Sequence, residues 1–251
     1  MNDRIRKFYN NLAINYDQMT SFEKRFPSEI DKFRKLVNKF SIKSAVDAGA
    51  GTGFHSLLLV ESGVKVTAVD ISNKMLIQLK NNAAKRNLSI KTVNSDFLTF
   101  NLKHSSNDAL ICLGNSLVHL SSKTNLERAI KNFTNVLKPG GVLILQFLNY
   151  DKILKRKERI HSIKKYNEFL YIRYYEFQKK EIIFNILKIN TLNLKYKLQS
   201  ISILPILKND IKKILIKSGL QKIRFYNDLD FNPFSKSVSN DVVVIAFKPK
   251  A

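Results

Sequence analysis

A single cysteine, Cys112, in 251 residues leaves no partner for an internal disulfide and no set of thiolates for a metal cluster. It stands in the apolar run "ALICLG", where it reads as a small core hydrophobe rather than a reactive thiol. No apolar run approaches the roughly 18 residues that cross a bilayer. The N-terminal "MNDRIRKFYN" is too charged for the apolar segment of a secretory signal. A soluble, cytoplasmic chain without a membrane partner is the expectation. Internal repeats, low-complexity tracts and Gly/Ser linkers are absent too, so one domain over 1–251 is expected.

Acidic residues are scarce, 20 against 43 Lys and Arg, for a net charge of +23. A field of that sign recruits polyanions whatever their sequence. The lysines, however, are scattered along the whole chain with isoleucine and asparagine, as codon use in an AT-rich genome would produce. The densest cluster, "DKILKRKERIHSIKK" from Asp151 to Lys165, reads as a solvated face, with an RNA or membrane surface as its alternative.

What is present is an alternation of short apolar runs and helical patterns. "SAVDAG", "KVTAVD", "IKTVNSD", "DALICLG" and "GVLILQFLN" read as strands, the last following a "KPGG" turn. Helices are expected over Phe54–Glu61, closed by Ser62-Gly63, over Asn73–Arg86 and over Lys123–Leu137. That order predicts a right-handed, doubly wound, mostly parallel α/β sheet. The C-terminal part changes character. Tyr171–Phe177, Ile182–Ile189 and Lys195–Ile203 read as an antiparallel insertion, about 165–205, followed by a helix over Asn209–Lys217 with Gly219 at its end. "KIRFYND" and "DVVVIAFK" then form a hairpin-like strand pair joined by a loop over 229–240.

The stretch "SAVDAGAGTGFHSLLL" places Gly49, Gly51 and Gly53 in the turn between the first strand and the first helix of the sheet. In open α/β sheets ligands bind there, beyond the strand ends, and a glycine lets the backbone approach them. Asp70, ending the second strand, is placed to accept from both hydroxyls of a ribose. A dinucleotide fingerprint would need glycine at 54, where the chain has Phe54.

Asp47-x-Gly49-x-Gly51-x-Gly53, Asp70, "NSDFL", the loop after the fourth strand and "LKPGGVLIL", in that order, resemble the class I S-adenosylmethionine-dependent methyltransferases over nearly the whole chain. The resemblance implies a Rossmann-like fold with a reversed C-terminal strand pair, and S-adenosyl-L-methionine as cofactor. It implies Gly49 and Gly51 beside the methionine part, Asp70 on the ribose, Ile71 and Met75 over the adenine, and Asp96 and the Phe97 amide on its polar edge. The Leu113 carbonyl would meet the amino group. Core packing stays open for Ile71 and Met75, and Asp47 could instead organise the turn. An N-terminal lid, about 1–30, would bring Tyr16 to the cofactor, with Tyr9 near it and Arg25 toward its carboxylate.

"ICLGNSLVHL" and "LNYDKIL" are similar to the glycine and sarcosine N-methyltransferase group. That similarity makes Asn115 a substrate contact and His119 the nearest base, unless His119 only caps or packs. The group's arginine before Asn-Tyr-Asp is Leu148 here, and its tyrosine pair before proline is Ile203-Leu204. Leucine cannot balance a carboxylate. The expected acceptor is therefore a small molecule less anionic than glycine, methylated at nitrogen, unless Arg173 supplies the charge. Methylation of RNA and cofactor binding without catalysis are the alternatives, specific nucleic-acid binding is not expected, and a homo-oligomer is left open.

Overall fold

The computed structural model describes residues 2–179 and 181–250. Two helices come first, α1 (Asn2–Thr20) and α2 (Phe22–Phe40). The alternating part follows: β1 (Ser44–Ala48), α3 (Phe54–Glu61), β2 (Lys65–Asp70), α4 (Asn73–Ala84), β3 (Lys91–Asn94), β4 (Asn107–Cys112), a 3-10 turn (Ser116–His119), α5 (Lys123–Val136) and β5 (Leu137–Leu148). Then come α6 (Tyr150–Arg156), the strands β6 (Ile160–Tyr166), β7 (Phe169–Phe177), β8 (Ile182–Asn190) and β9 (Tyr196–Ile203), α7 (Lys208–Lys217), β10 (Gln221–Tyr226) and β11 (Asp241–Phe247).

Seven strands form one sheet in the order β10-β11-β5-β4-β1-β2-β3. β1 to β5 pair in parallel, and β11 runs antiparallel to both β5 and β10, which is the expected reversed pair. Period-two alternation sends successive side chains to opposite faces. Val46, Leu110, Cys112, Leu143, Leu145, Phe147 and Val244 join one apolar cluster, while Ala45, Ile111, Ile144, Val243 and Ile245 join another. Each strand thus contributes to two cores, which is why these runs are apolar without interruption. Cys112 is fully buried in the first core, and burial pushes its thiol well above the ordinary range, so it packs rather than reacts.

Local sequence sets the helix boundaries. The Ser72 and Ser122 hydroxyls accept from the amides of Met75 and Asn125 at 3.1 Å and so cap α4 and α5. Helix α4 stops at Ala84, two residues short of the expected Arg86. "KPGG" is not a turn ahead of β5 but lies within it. The register against β4 shifts between Asn107 and Ala109, and the Gly140 amide donates to the carbonyls of Lys248 and Pro249. A bulge in a paired strand carries the extra residues there.

The second sheet, β6-β7-β8-β9, is antiparallel throughout and comprises the insertion. It starts at Ile160, five residues ahead of the expected 165, and the basic segment read as a solvated face forms a short helix and an edge strand that are exposed over much of their length. "IHSIKKY" has too few apolar residues to announce a strand, and edge strands commonly carry lysine. α1 lies between the two sheets. On one side Ser72 Oγ donates to Asn10 Oδ1 at 2.6 Å and Asn82 Nδ2 to Asp17 Oδ2 at 2.9 Å; on the other, Lys188 Nζ donates to Asn15 Oδ1 at 2.9 Å. Phe8, Leu12 and Met19 of α1 are buried in the shared core.

Candidate active site

Two cavities lie beyond the carboxyl ends of the parallel strands, where β1 and β4 part toward opposite ends of the sheet. They share Tyr9, Tyr16, Gly49, Gly51, Ser116 and His119 as a common wall. The smaller is lined by Asp70, Ile71, Asp96 and Phe97; the larger, of about 380 Å³, extends past Leu113 and Asn115 to Leu148 and the insertion.

The three glycines of the turn are bare for different reasons. A Cβ on Gly51 would meet nothing within 4 Å, so the space above it is open. One on Gly49 would lie 2.8 Å from the Ser116 side chain, and one on Gly53 2.6 Å from Leu79 Cγ. Gly51 is bared toward open space, Gly53 is held to glycine by packing, and Gly49 both lines the cavities and leaves no room for a side chain beside Ser116.

Asp70 is buried, with Oδ2 accepting from the Gly51 amide at 2.9 Å and Oδ1 from the Ser72 amide at 2.8 Å. Each oxygen keeps a lone pair for a further donor. Burial raises its pKa to about 6 against the opposing pull of those two amides. Asp47 faces away from this wall, accepts from Ser56 Oγ at 2.5 Å and titrates near 7 through burial, so it organises the start of α3. Asp96 Oδ1 accepts from the Leu98 and Thr99 amides, holding its own turn at the rim of the smaller cavity. The Leu113 carbonyl already accepts from Ser116 Oγ at 2.9 Å.

Met75 departs from expectation. It is fully buried in the core and lines neither cavity, on the face of α4 that also buries Leu79 and Ala83, so the core-packing alternative holds. Ile203 and Leu204 likewise line neither cavity: Ile203 is buried in the core, and the Leu204 amide donates to the Val118 carbonyl at 2.7 Å.

Asn115 has φ 64 and its side chain is engaged at both ends. Oδ1 accepts from the Leu148 amide at 3.1 Å and Nδ2 donates to the Tyr150 hydroxyl at 3.0 Å. It ties the β4 loop to the end of β5 while lining the larger cavity. His119 Nε2 and the Tyr9 hydroxyl are 2.6 Å apart, and His119 Nδ1 is buried without a partner. Burial lowers the His119 pKa to about 4 and raises that of Tyr9, so both are neutral near pH 7. Tyr16 lies at a ring-centroid distance of 6.4 Å from Tyr9. Arg25 lines the larger cavity but donates through Nε and Nη2 to Glu29 Oε1 at 3.0 and 2.8 Å, with its guanidinium 4.2 Å above the Phe54 ring.

Several lining residues carried no local signal. Gln146 accepts from the Gly114 amide at 2.6 Å and donates to Asp241, linking the β4 loop to β11. His161, Arg173 and Tyr175 reach the same cavity from the insertion. Only the pairing of the second sheet with α1 brings them there, although Arg173 was the cation considered as a replacement at the acceptor. Among the described residues no group of three or more His, Cys, Asp and Glu side chains could hold a metal, and no helix is long and apolar enough to cross a membrane.

Residues 45–141 match a family described as a methyltransferase domain. The glycine/sarcosine N-methyltransferase of Aphanothece halophytica is 39% identical over 141 residues, 55% of this chain and 53% of that protein. The chain thus spans about half the length of the curated relatives it matches. An S-adenosylmethionine-dependent methyltransferase from Clostridium acetobutylicum superposes with a TM-score of 0.79 at 19% identity, over 96% of this chain and 99% of that one. The CcbJ methyltransferase from Streptomyces caelestis gives 0.77 at 18% identity over 89% and 90%. Residues 45–141 thus carry the match to a methyltransferase domain, and the fold of both sheets is that of these S-adenosylmethionine-dependent methyltransferase structures.

Proposed function

We propose that the chain transfers a methyl group from S-adenosyl-L-methionine to nitrogen on a small molecule. One observation carries the reading: two cavities meet at the wall of Gly49, Gly51, Ser116, Tyr9, Tyr16 and His119, which supports one as the place of a nucleoside and the other as that of an acceptor. The fit of the cofactor rests on the open space above Gly51 and on the spare lone pairs of Asp70, a pair suited to an adenosyl ribose. Ile71, Phe97 and Asp96 would surround the adenine, and Gly49 and Leu113 the methionine part. The bound cofactor supplies an activated methyl group on a sulfonium, which needs no metal or covalent enzyme intermediate.

The chain's own task is then to hold an uncharged amine, exclude water and accept its released proton. α1 covers the wall from above, bringing Tyr9 and Tyr16 over it, which supports the lid role expected of the N-terminus. His119, neutral and hydrogen-bonded to Tyr9, is a weak base; its orphan Nδ1 makes it a positioning group for the acceptor more than a strong proton sink. Asn115 supports the reaction by fixing the loop that faces Leu148.

The acceptor end is built unlike a glycine pocket, with Leu148 as an apolar wall and the inward-facing cation coming from the insertion. The test is calorimetric titration with S-adenosylhomocysteine followed by a methyl-transfer screen of small amines. Binding of one molecule per chain with transfer to an amine supports the proposal. Binding without transfer to any small molecule would leave a cofactor-binding protein, and radiolabel in a defined RNA position would replace the acceptor class.

A further inference from the structure

Arg173 is central on β7, with Ser162 of β6 and Ile186 of β8 as cross-strand neighbours. Its Nε donates to Ser162 Oγ at 2.6 Å, which orients the guanidinium. Among the described residues neither terminal nitrogen has a hydrogen-bond partner, and no carboxylate forms an ion pair with it. Burial and the nearby Arg25 lower its pKa from the ordinary arginine value, yet arginine stays charged. A guanidinium held in a poorly solvated wall without a counter-ion is costly, and an anion from the ligand would remove that cost.

The surroundings sharpen the choice of ligand. The carboxylates lining the same cavity are otherwise engaged: Glu29 with Arg25, Asp241 with Gln146, and Asp228 with Asn232 and the Asp230 amide. His161 is held neutral by burial, with a pKa of about 4. Tyr175, two residues along the same face, lines the chamber as well, with its hydroxyl buried beside that of Tyr150. Leu148, Phe184 and Ile186 give the chamber an apolar portion, while Thr20, Asn115 and Gln146 line it elsewhere.

We propose that Arg173 binds the carboxylate of the methyl acceptor, which is an amine-bearing acid with an apolar body larger than glycine. The inference rests on the reading of this chamber as the acceptor site of a methyltransferase. It revises the expectation of a less anionic acceptor: the wall at 148 is uncharged, but the charge enters from the insertion. Bidentate pairing with a guanidinium fixes a carboxylate in orientation as well as position, leaving the amine to be aimed at the common wall.

Matched acid and amide probes test this on the protein loaded with S-adenosylhomocysteine: acetate against acetamide, and leucine against leucinamide, by calorimetry, with glycine alongside. The acids should bind at least tenfold more tightly than their amides, and leucine more tightly than glycine. Arg173→Met should abolish the discrimination while the affinity for S-adenosylhomocysteine changes less than threefold, and Arg173→Lys should restore part of it. Thermal unfolding of both variants controls for loss of the Ser162 contact. Equal affinity for acids and amides would overturn the proposal, as would a tenfold loss of S-adenosylhomocysteine binding in Arg173→Met, which would assign the guanidinium to the cofactor's own carboxylate. Failure of the unaltered protein to bind S-adenosylhomocysteine would remove the methyltransferase reading, and this inference with it.

Discussion

Asp70 is the residue on which the cofactor reading is most exposed to test. Its two oxygens are oriented by the Gly51 and Ser72 amides, so the lone pairs that remain are held in place before a ligand arrives. Loss of two charge-assisted hydrogen bonds in Asp70→Ala should weaken S-adenosylhomocysteine binding by about 2–4 kcal/mol. Undiminished binding in a folded variant would contradict the assignment. The sign of the pH dependence follows from burial, which raises this carboxyl to about 6. Above that value it is an ionised acceptor for hydroxyl donors, and below it a protonated group. Affinity should therefore be flat above pH 7 and decline as pH falls through 6. Asp70→Asn should flatten the profile, which separates Asp70 from Asp47 nearby. Asn115 works through others: with both ends of its amide occupied, Asn115→Ala frees Leu148 and Tyr150 and places alanine at φ 64. Methyl transfer should drop about tenfold or more while S-adenosylhomocysteine affinity changes by less than about threefold, because the lost contacts border the acceptor side. Equal losses in both would place Asn115 on the cofactor.

At the scale of elements, the turn between β1 and α3 separates packing from ligand binding within five residues. Gly53→Ala should destabilise the fold by about 1–3 kcal/mol, since the backbone has φ +94 and the new Cβ meets Leu79 at 2.6 Å. Gly51→Ala carries only the cost of its positive φ, about 1–2 kcal/mol, and its methyl enters the open space. It should fold, melt above Gly53→Ala and bind S-adenosylhomocysteine much more weakly. Thermal melts and titrations of the two variants check this; a Gly51→Ala protein with normal affinity would mean that no ligand occupies that space. The helix α1 has a comparable double role, since its Asn10 and Asp17 anchor it to α4 while Asn15 takes a bond from the insertion. Tyr9 and Tyr16 project between those anchors, so any motion that opens the common wall must release one side or the other.

For the whole molecule, the net charge of +23 is its most conspicuous property. Its ion pairs lie mainly at exposed side chains, such as Arg34 with Asp31 and Lys217 with Glu127, and contribute little each. Binding to RNA driven by such a surface should be weak and collapse between low and physiological salt, without methyl transfer to the RNA. Filter binding across a salt series, with radiolabelled methyl donor present, measures both. Salt-resistant binding with label in the RNA would move the acceptor from small molecule to nucleic acid.

Sequence alone determined the parallel sheet, the reversed pair β10-β11 and the glycine turn, because those features depend on short-range chemistry. Uninterrupted apolar runs mark strands buried on both faces, serines cap α4 and α5, and Asp70 ends its strand within reach of the turn. Periodicity also placed three of the four insertion strands, whose aromatic and β-branched runs are locally distinctive. What the tertiary structure decided is which side chains face one another across long separations. Met75 is as apolar as Ile71 and lies four residues from it, yet one is buried in the core under α4 and the other stands at a cavity. β6 is a strand only because β7 pairs with it, and that pairing sets Ser162 against Arg173. The charge missing at Leu148 is supplied to the same chamber from a different sheet, 25 residues further along the chain. A linear pattern carries no information about such a substitution, because the chamber's electrostatics belong to the space enclosed by both sheets and α1 rather than to any one segment.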